Sequence, residues 1–269
     1  MKHSQRPTTR PRHLIAFTLG VATLVAATLF FRGSVAFAGG DGFVDELQLY
    51  DKALWFKSDG WANGWKRNDT GWRAKNAELR DGRLHISLTD EPSAGRGHTS
   101  GEYQTRRAFR YGRFEARLKA AAAPGLVTGF FTYSGPSMDG APHHEIDFEF
   151  LGKAAQRVQV NYFTDGVGGH ETMIDLGFDA SEDFHTYAFE WRPDSIRWFV
   201  DGRLVHEESG ARGPLPSVPG KIYLHLWAGK GLRGWLGRFA YPGHPLTAEV
   251  DCVAYLPLKE IAAGKGCES

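Results

Sequence analysis

Glu145, Asp147 and Glu149 alternate with Ile146, Phe148 and Phe150 in the stretch HHEIDFEFLG, residues 143–152. On a strand, residues at i, i+2 and i+4 share a face, so this spacing lines up three carboxylates while the apolar residues turn toward a core. At about 3.3 Å per residue, Glu145 and Glu149 lie roughly 13 Å apart along the backbone. On a bent strand the two side chains lean together. A carboxyl separation of about 5–5.5 Å then lets one act as nucleophile and the other as proton donor in retaining glycoside hydrolysis. Three acids this close do not all ionise easily, so one Glu is expected to keep its proton as general acid while the other stays charged.

The same alternation also fits a solvated acidic face or carboxylate ligands for calcium. Chemistry is favoured by the cost of stacking like charges on one strand and by the aromatic residues nearby. FFTY (130–133), the tryptophans at 55, 61, 65 and 72, Phe163 and Trp227 offer flat surfaces for sugar rings, although each taken alone is better suited to a core, since Trp and Phe are the main fillers of sandwich interiors.

The elements that must position these residues read as short strands. In YGRFEARLKA (111–120), Gly112, Phe114, Ala116 and Leu118 share one face and the charged residues the other. Asp201-Gly202 within SIRWFVDGRLVHEE, and Asp81-Gly82 between AELR and RLHISL, are hairpin signals, since a type I′ turn needs positive φ at both central positions. No long amphipathic helix, internal repeat or linker follows residue 40. The expectation is an all-β fold, one curved antiparallel β-sandwich or jelly roll whose concave face forms a groove.

The chain has 269 residues, 42% hydrophobic and 13% aromatic, enough for one large domain. Lys2, Arg6, Arg10 and Arg12 precede an apolar run over 14–31 and then AFA at 36–38, which reads as an export signal over 1–38 and a single domain over 39–269. The alternative is an uncleaved membrane anchor. With Arg32 the leader holds five basic residues and no acid; of the 32 Lys+Arg and 31 Asp+Glu, 27 and 31 remain beyond it, a net −4 that argues against a nucleic-acid partner. Cys252 and Cys267 either form one disulfide in the exported protein or remain two thiols, and no spacing suggests zinc.

EIDFEFLG resembles the E-x-D-x-E active-site strand of glycoside hydrolase family 16. VQVNYFTDGVGGHE, LGFDASEDFHTYAFEWRPDSIRWFVDG, PGKIYLHLWAG and PLTAEVDCVAY resemble the family's bacterial lichenases, the endo-β-1,3-1,4-glucanases, over nearly all of residues 55–256. The resemblance implies a concanavalin A-like jelly roll and a retaining endo-β-glycanase, with Glu145 as nucleophile, Glu149 as acid/base and Asp147 as the residue that orients and tunes the nucleophile. It implies sugar contacts at Trp61, Asn63, Glu102, Phe130, Tyr133, Asn161, Phe163 and Trp227, and a structural calcium near Asp251 and Gly82. No cofactor is required for the chemistry.

The sequence departs from the lichenase pattern at several points. Thr70 and Ser100 stand where lichenases carry a disulfide, His143-His144 replace Trp-Asp, Gln104 replaces an arginine and Phe163 a tyrosine. The arginine-rich leader and this variant of the pattern are similar to rhizobial family members that depolymerise the exopolysaccharide succinoglycan. That polymer is the first expected substrate, with plant-type mixed-linkage β-glucan second and transglycosylation third. A non-catalytic lectin is disfavoured because both Glu residues are present. A secreted monomer acting on polysaccharide, with no stable membrane association after cleavage, completes the expectation.

Three further signals are set aside. His143-x-Glu145 lacks the P-C-x-x-C partner of zinc deaminases. GVGGH (166–170) has no following helix and reads as a loop. Arg96, Arg106, Arg107 and Arg110 read as a solvated face.

Overall fold

The computed structural model describes residues 35–36, 42–263 and 266–267, the first two and residue 263 through their backbone. The expected leader and its AFA cleavage pattern lie outside the described residues apart from the backbone of Val35–Ala36, which pairs antiparallel with Phe43–Asp45.

Alternating sequences build two antiparallel sheets. One runs in the order 35–36, 43–45, 246–257, 112–119, 185–191, 196–200 and 203–208, with the hairpin 77–80/83–88 joined alongside 246–257. The other, which carries the acidic strand, runs 172–175, 157–163, 144–151, 126–134, 221–228, 102–105 and 55–57. A short parallel pair joins Thr70–Trp72 to His98–Ser100. Both expected hairpins are present: Asp81 and Gly82 have φ of 52° and 71°, and Asp201 and Gly202 of 47° and 72°.

Between the sheets lies an aromatic core. Gly112, Phe114, Ala116 and Leu118 face inward as the alternation predicts, and Phe114 stacks on Phe189 with ring centroids 4.9 Å apart. Phe148, Phe150 and Ile146 of the acidic strand are buried in the same core. Trp198, from the opposite sheet, reaches across it and donates its indole N–H to the carbonyl of Asp147 at 3.1 Å, fixing the acidic strand's height above the core. Cys252 and Cys267 form a disulfide, which ties the end of the described chain to strand 246–257.

Candidate active site

The acidic strand lies third in its sheet, so both edges are paired. On one side Tyr133, Phe131 and Gly129 stand opposite Glu145, Asp147 and Glu149. On the other, Phe163, Asn161 and Gln159 stand opposite the same three. The rows continue through Tyr223 and His225 to Gln104 and Glu102. Gly129 is a close-approach position, since a Cβ there would lie 2.4 Å from His225 Nε2.

The three acids, Phe131, Gln159, Asn161, Phe163 and His225 line a hollow of about 720 Å³ together with Asn63, Trp65, Trp227 and Trp235. A second hollow of about 560 Å³ shares Asn63, Trp65, Phe131, Glu145 and His225 and adds Trp61, Glu102, Tyr133 and Tyr223. Together they form a cleft that continues past Glu145, as binding of an internal stretch of polymer requires.

Electrostatics separates the three acids. Glu149 Oε2 accepts a hydrogen bond from Gln159 Nε2 at 2.9 Å, yet burial, then Glu145 and Glu171, push its carboxyl up to about 8. Asp147 is held well above the usual carboxylate range, first by burial, then by the charges of Glu145 and Glu149 and by its hydrogen bond to Glu145. Burial thus favours the protonated form of Asp147, whose carboxyl is hydrogen-bonded to Glu145. The alternation predicts one raised Glu; burial raises the middle acid, Asp147, as well. Glu145 also receives His143 Nε2 at 2.6 Å, and because a carboxylate only accepts, that nitrogen carries the hydrogen.

Glu145, Asp147, Glu149, Asn63, Asn161, Phe163 and Trp227 share the first hollow, and Trp61, Glu102 and Tyr133 the second. Asn161 Oδ1 is buried and has no hydrogen-bond partner among the described residues. Glu102 is held by the Ser58 hydroxyl at 2.7 Å.

Phe130 requires correction. It is fully buried against Phe148 and Phe189 on the core face, and its neighbour Phe131 lines the cleft instead. Period two allows only every other residue of FFTY to face the acids, and Phe131 has their register. Trp55 and Trp72 are likewise core residues, whereas Trp61 and Trp65 are 41% and 49% exposed.

Asp251 and Gly82 line a hollow apart from the cleft. Asp251 Oδ1 is buried without a hydrogen-bond partner among the described residues, while Oδ2 is paired with the Arg117 guanidinium. The open oxygen of Asp251 is available to a hard cation, while the Arg117 guanidinium already balances the carboxylate's charge and no cluster of three or more acidic, His or Cys side chains surrounds it among the described residues.

Gln159, His225, Glu171 and Trp235 do not follow from alternation within one strand, because cross-strand register and loop placement bring them to the acids. HLW and VQVNYF carried the signal: once the acidic face is fixed, every second residue of a neighbouring strand follows.

Residues 65–242 match the sequence profile of glycosyl hydrolases family 16. A β-glucanase of Paenibacillus polymyxa is 46% identical over 241 residues, 89% of this chain and 96% of that protein. A β-glucanase of Bacillus subtilis is 45% identical over 218 residues, 80% of this chain and 86% of its own. The crystal structure of a prokaryotic β-1,3-1,4-glucanase (lichenase) from a mouse hindgut metagenome superposes with a TM-score of 0.76 at 48% identity, covering 81% of this chain and 99% of that one.

Proposed function

We propose, from the premise that this chain belongs to the glycosyl hydrolases of family 16, that it is an endo-β-1,3-1,4-glucanase working with retention. The observation that carries this reading is the pairing on one face of Glu149, still protonated near neutral pH, with Glu145, which accepts hydrogen bonds from its neighbours. Glu145 attacks the anomeric carbon as Glu149 gives its proton to the departing glycosidic oxygen, leaving a glycosyl ester on Glu145. Glu149, now a carboxylate, takes a proton from water as that water opens the ester, and both acids return to their starting states. Asp147 holds and tunes Glu145, and the open Oδ1 of Asn161 is available to a sugar hydroxyl.

The enzyme should convert mixed-linkage β-glucan to short oligosaccharides whose first-formed reducing ends, followed by NMR, are β. Glu145→Gln should be inert. First-formed α ends, or full activity in Glu145→Gln, overturn the reading.

A second reading takes succinoglycan as the natural polymer. It is supported by the departures from the lichenase pattern in or beside the cleft: His143 and Phe163 line it, and Gln104 is buried next to Glu102. Parallel assays on both polymers decide: shortening of succinoglycan that is lost in Glu145→Gln supports it, and activity confined to plant-type glucan overturns it. Export, with residues 1–38 removed, fits either polymer, since neither is made to be cut inside the cytosol.

A further inference from the structure

A glutamate's last torsion is broad and nearly two-fold, so its rotamer does not fix the plane of the carboxylate. A nucleophilic carboxylate nevertheless has to meet the anomeric carbon in a defined orientation. We infer that His143 is a positioning residue for Glu145, its Nε2–H fixing the rotation of the carboxylate that attacks the sugar. The inference rests on the proposal that Glu145 is the nucleophile.

Three observations carry it. The contact is short, 2.6 Å, between partners that are both largely withdrawn from solvent, with His143 and Glu145 side chains 29% and 20% exposed. The imidazole is itself held: it stacks on Phe163 with centroids 4.9 Å apart and planes 18° from parallel, and the Tyr133 ring lies 5.1 Å away. The glycine-rich loop holds that stack in turn. Gly166 N–H donates to the His143 carbonyl at 2.9 Å, and a Cβ at Gly168 would lie 2.4 Å from the Phe163 ring, so the loop packs against the ring where glycine is required.

The stretch GVGGH thus supports the nucleophile through two rings. His143 and Phe163, two of the departures from the lichenase pattern, form one stacked unit. The Phe163 ring gives the imidazole a flat surface, and Nε2 of that imidazole is committed to Glu145. The same N–H faces the charge that returns to Glu145 when the glycosyl ester is hydrolysed.

His143→Phe keeps the stack and removes the donor; His143→Gln places an amide N–H near the position of Nε2. The expected result on mixed-linkage β-glucan is a fall in kcat of about 10–100-fold in His143→Phe with KM little changed, and recovery of most of it in His143→Gln. With a dinitrophenyl β-glycoside, whose leaving group needs no proton, glycosylation by Glu149→Ala recovers, and the His143→Phe deficit persists because its defect lies in the nucleophile. Wild-type kcat in His143→Phe, equal loss in both His143 variants, or relief by the activated leaving group overturns the inference. If His143→Phe melts below the assay temperature, His143→Ala with added imidazole reads the same contact: recovery supports the assignment and no recovery overturns it. Glu145→Gln belongs in the same series. Activity there overturns the nucleophile assignment itself, while an inert Glu145→Gln beside a fully active His143→Phe overturns only the role of His143.

Discussion

Gln159 bridges Trp235 and Glu149: its Oε1 accepts the indole N–H at 3.0 Å and its Nε2 donates to Glu149 Oε2 at 2.9 Å. The donated bond favours the charged carboxylate and so opposes the burial that keeps Glu149 protonated. The basic limb of kcat/KM should therefore fall near pH 8 in the wild type, where the general acid loses its proton. Gln159→Leu should move that limb upward by roughly one to two pH units, since a hydrogen bond to a charged group is worth about 1.5–3 kcal/mol. A pH profile of the variant checks the sign; a downward shift contradicts the network.

Burial, then the charges of Glu145 and Glu149, raise the Asp147 carboxyl well above the usual carboxylate range. Asp147→Asn keeps a side-chain donor for Glu145 but removes the carboxyl hydrogen-bonded to it. Turnover should drop by about 10²–10⁴-fold with little loss of oligosaccharide binding, measured by calorimetry. Unchanged turnover removes Asp147 from the mechanism.

The raised carboxyls also fix how stability depends on pH. Between the ordinary carboxylate range and about 8, the folded protein holds a proton on Glu149 that the unfolded chain has lost. Folding thus binds protons in this window, and stability falls as pH rises through it, by about 1.4 kcal/mol per unit for one such group. Glu149→Gln, which has no carboxyl to titrate, should flatten that slope and melt higher than the wild type at pH 8 while differing little at pH 4. Melting curves across the range test this, and an unchanged slope would mean that Glu149 titrates normally in the folded state.

Phe130 and Phe131 are adjacent in sequence and opposite in consequence. Phe130→Ala should cost about 3–5 kcal/mol of stability and leave KM of the surviving folded enzyme nearly unchanged. Phe131 stacks on Tyr223 in the cleft, with centroids 5.1 Å apart, so Phe131→Ala should raise KM with a smaller loss of stability. The reverse pattern would place the strand out of register by one residue.

This pair marks the boundary of what the sequence discloses. Alternation assigned faces correctly along 112–119 and 144–151, where charged and apolar residues take turns. It has nothing to act on in Leu126–Ser134, where nearly every residue is buried. There the face is decided by pairing with the acidic strand, a long-range fact. Cysteine spacing left a disulfide and two thiols equally open, because separation along the chain does not determine separation in space. His143 and Gln159 escaped for the same reason: hydrogen bonding to a carboxylate is a matter of orientation, which residue type alone does not encode.

Calcium is the remaining proposal that can be tested without substrate. With Asp251 Oδ1 open and Gly82 lining the same hollow, saturating Ca²⁺ should raise the melting temperature relative to EDTA, by an amount equivalent to about 2.7 kcal/mol at a hundredfold excess over Kd. Asp251→Ala should abolish the difference. Equal melting temperatures with and without the ion remove the site.

The acidic strand has a paired neighbour on each side, and the tryptophan indole from the far sheet pins its backbone from beneath. Bond-breaking groups are thereby confined to one rigid line, while much of the sugar-facing surface, Trp61, Asn63, Trp65, Glu171 and Trp235, comes from connecting segments. Those segments are free to vary in length and residue type without moving the reacting carboxylates. Substrate preference can therefore drift through loop changes while the reaction stays constant, so a new polymer is reached by altering the banks of the cleft and leaving its bed alone.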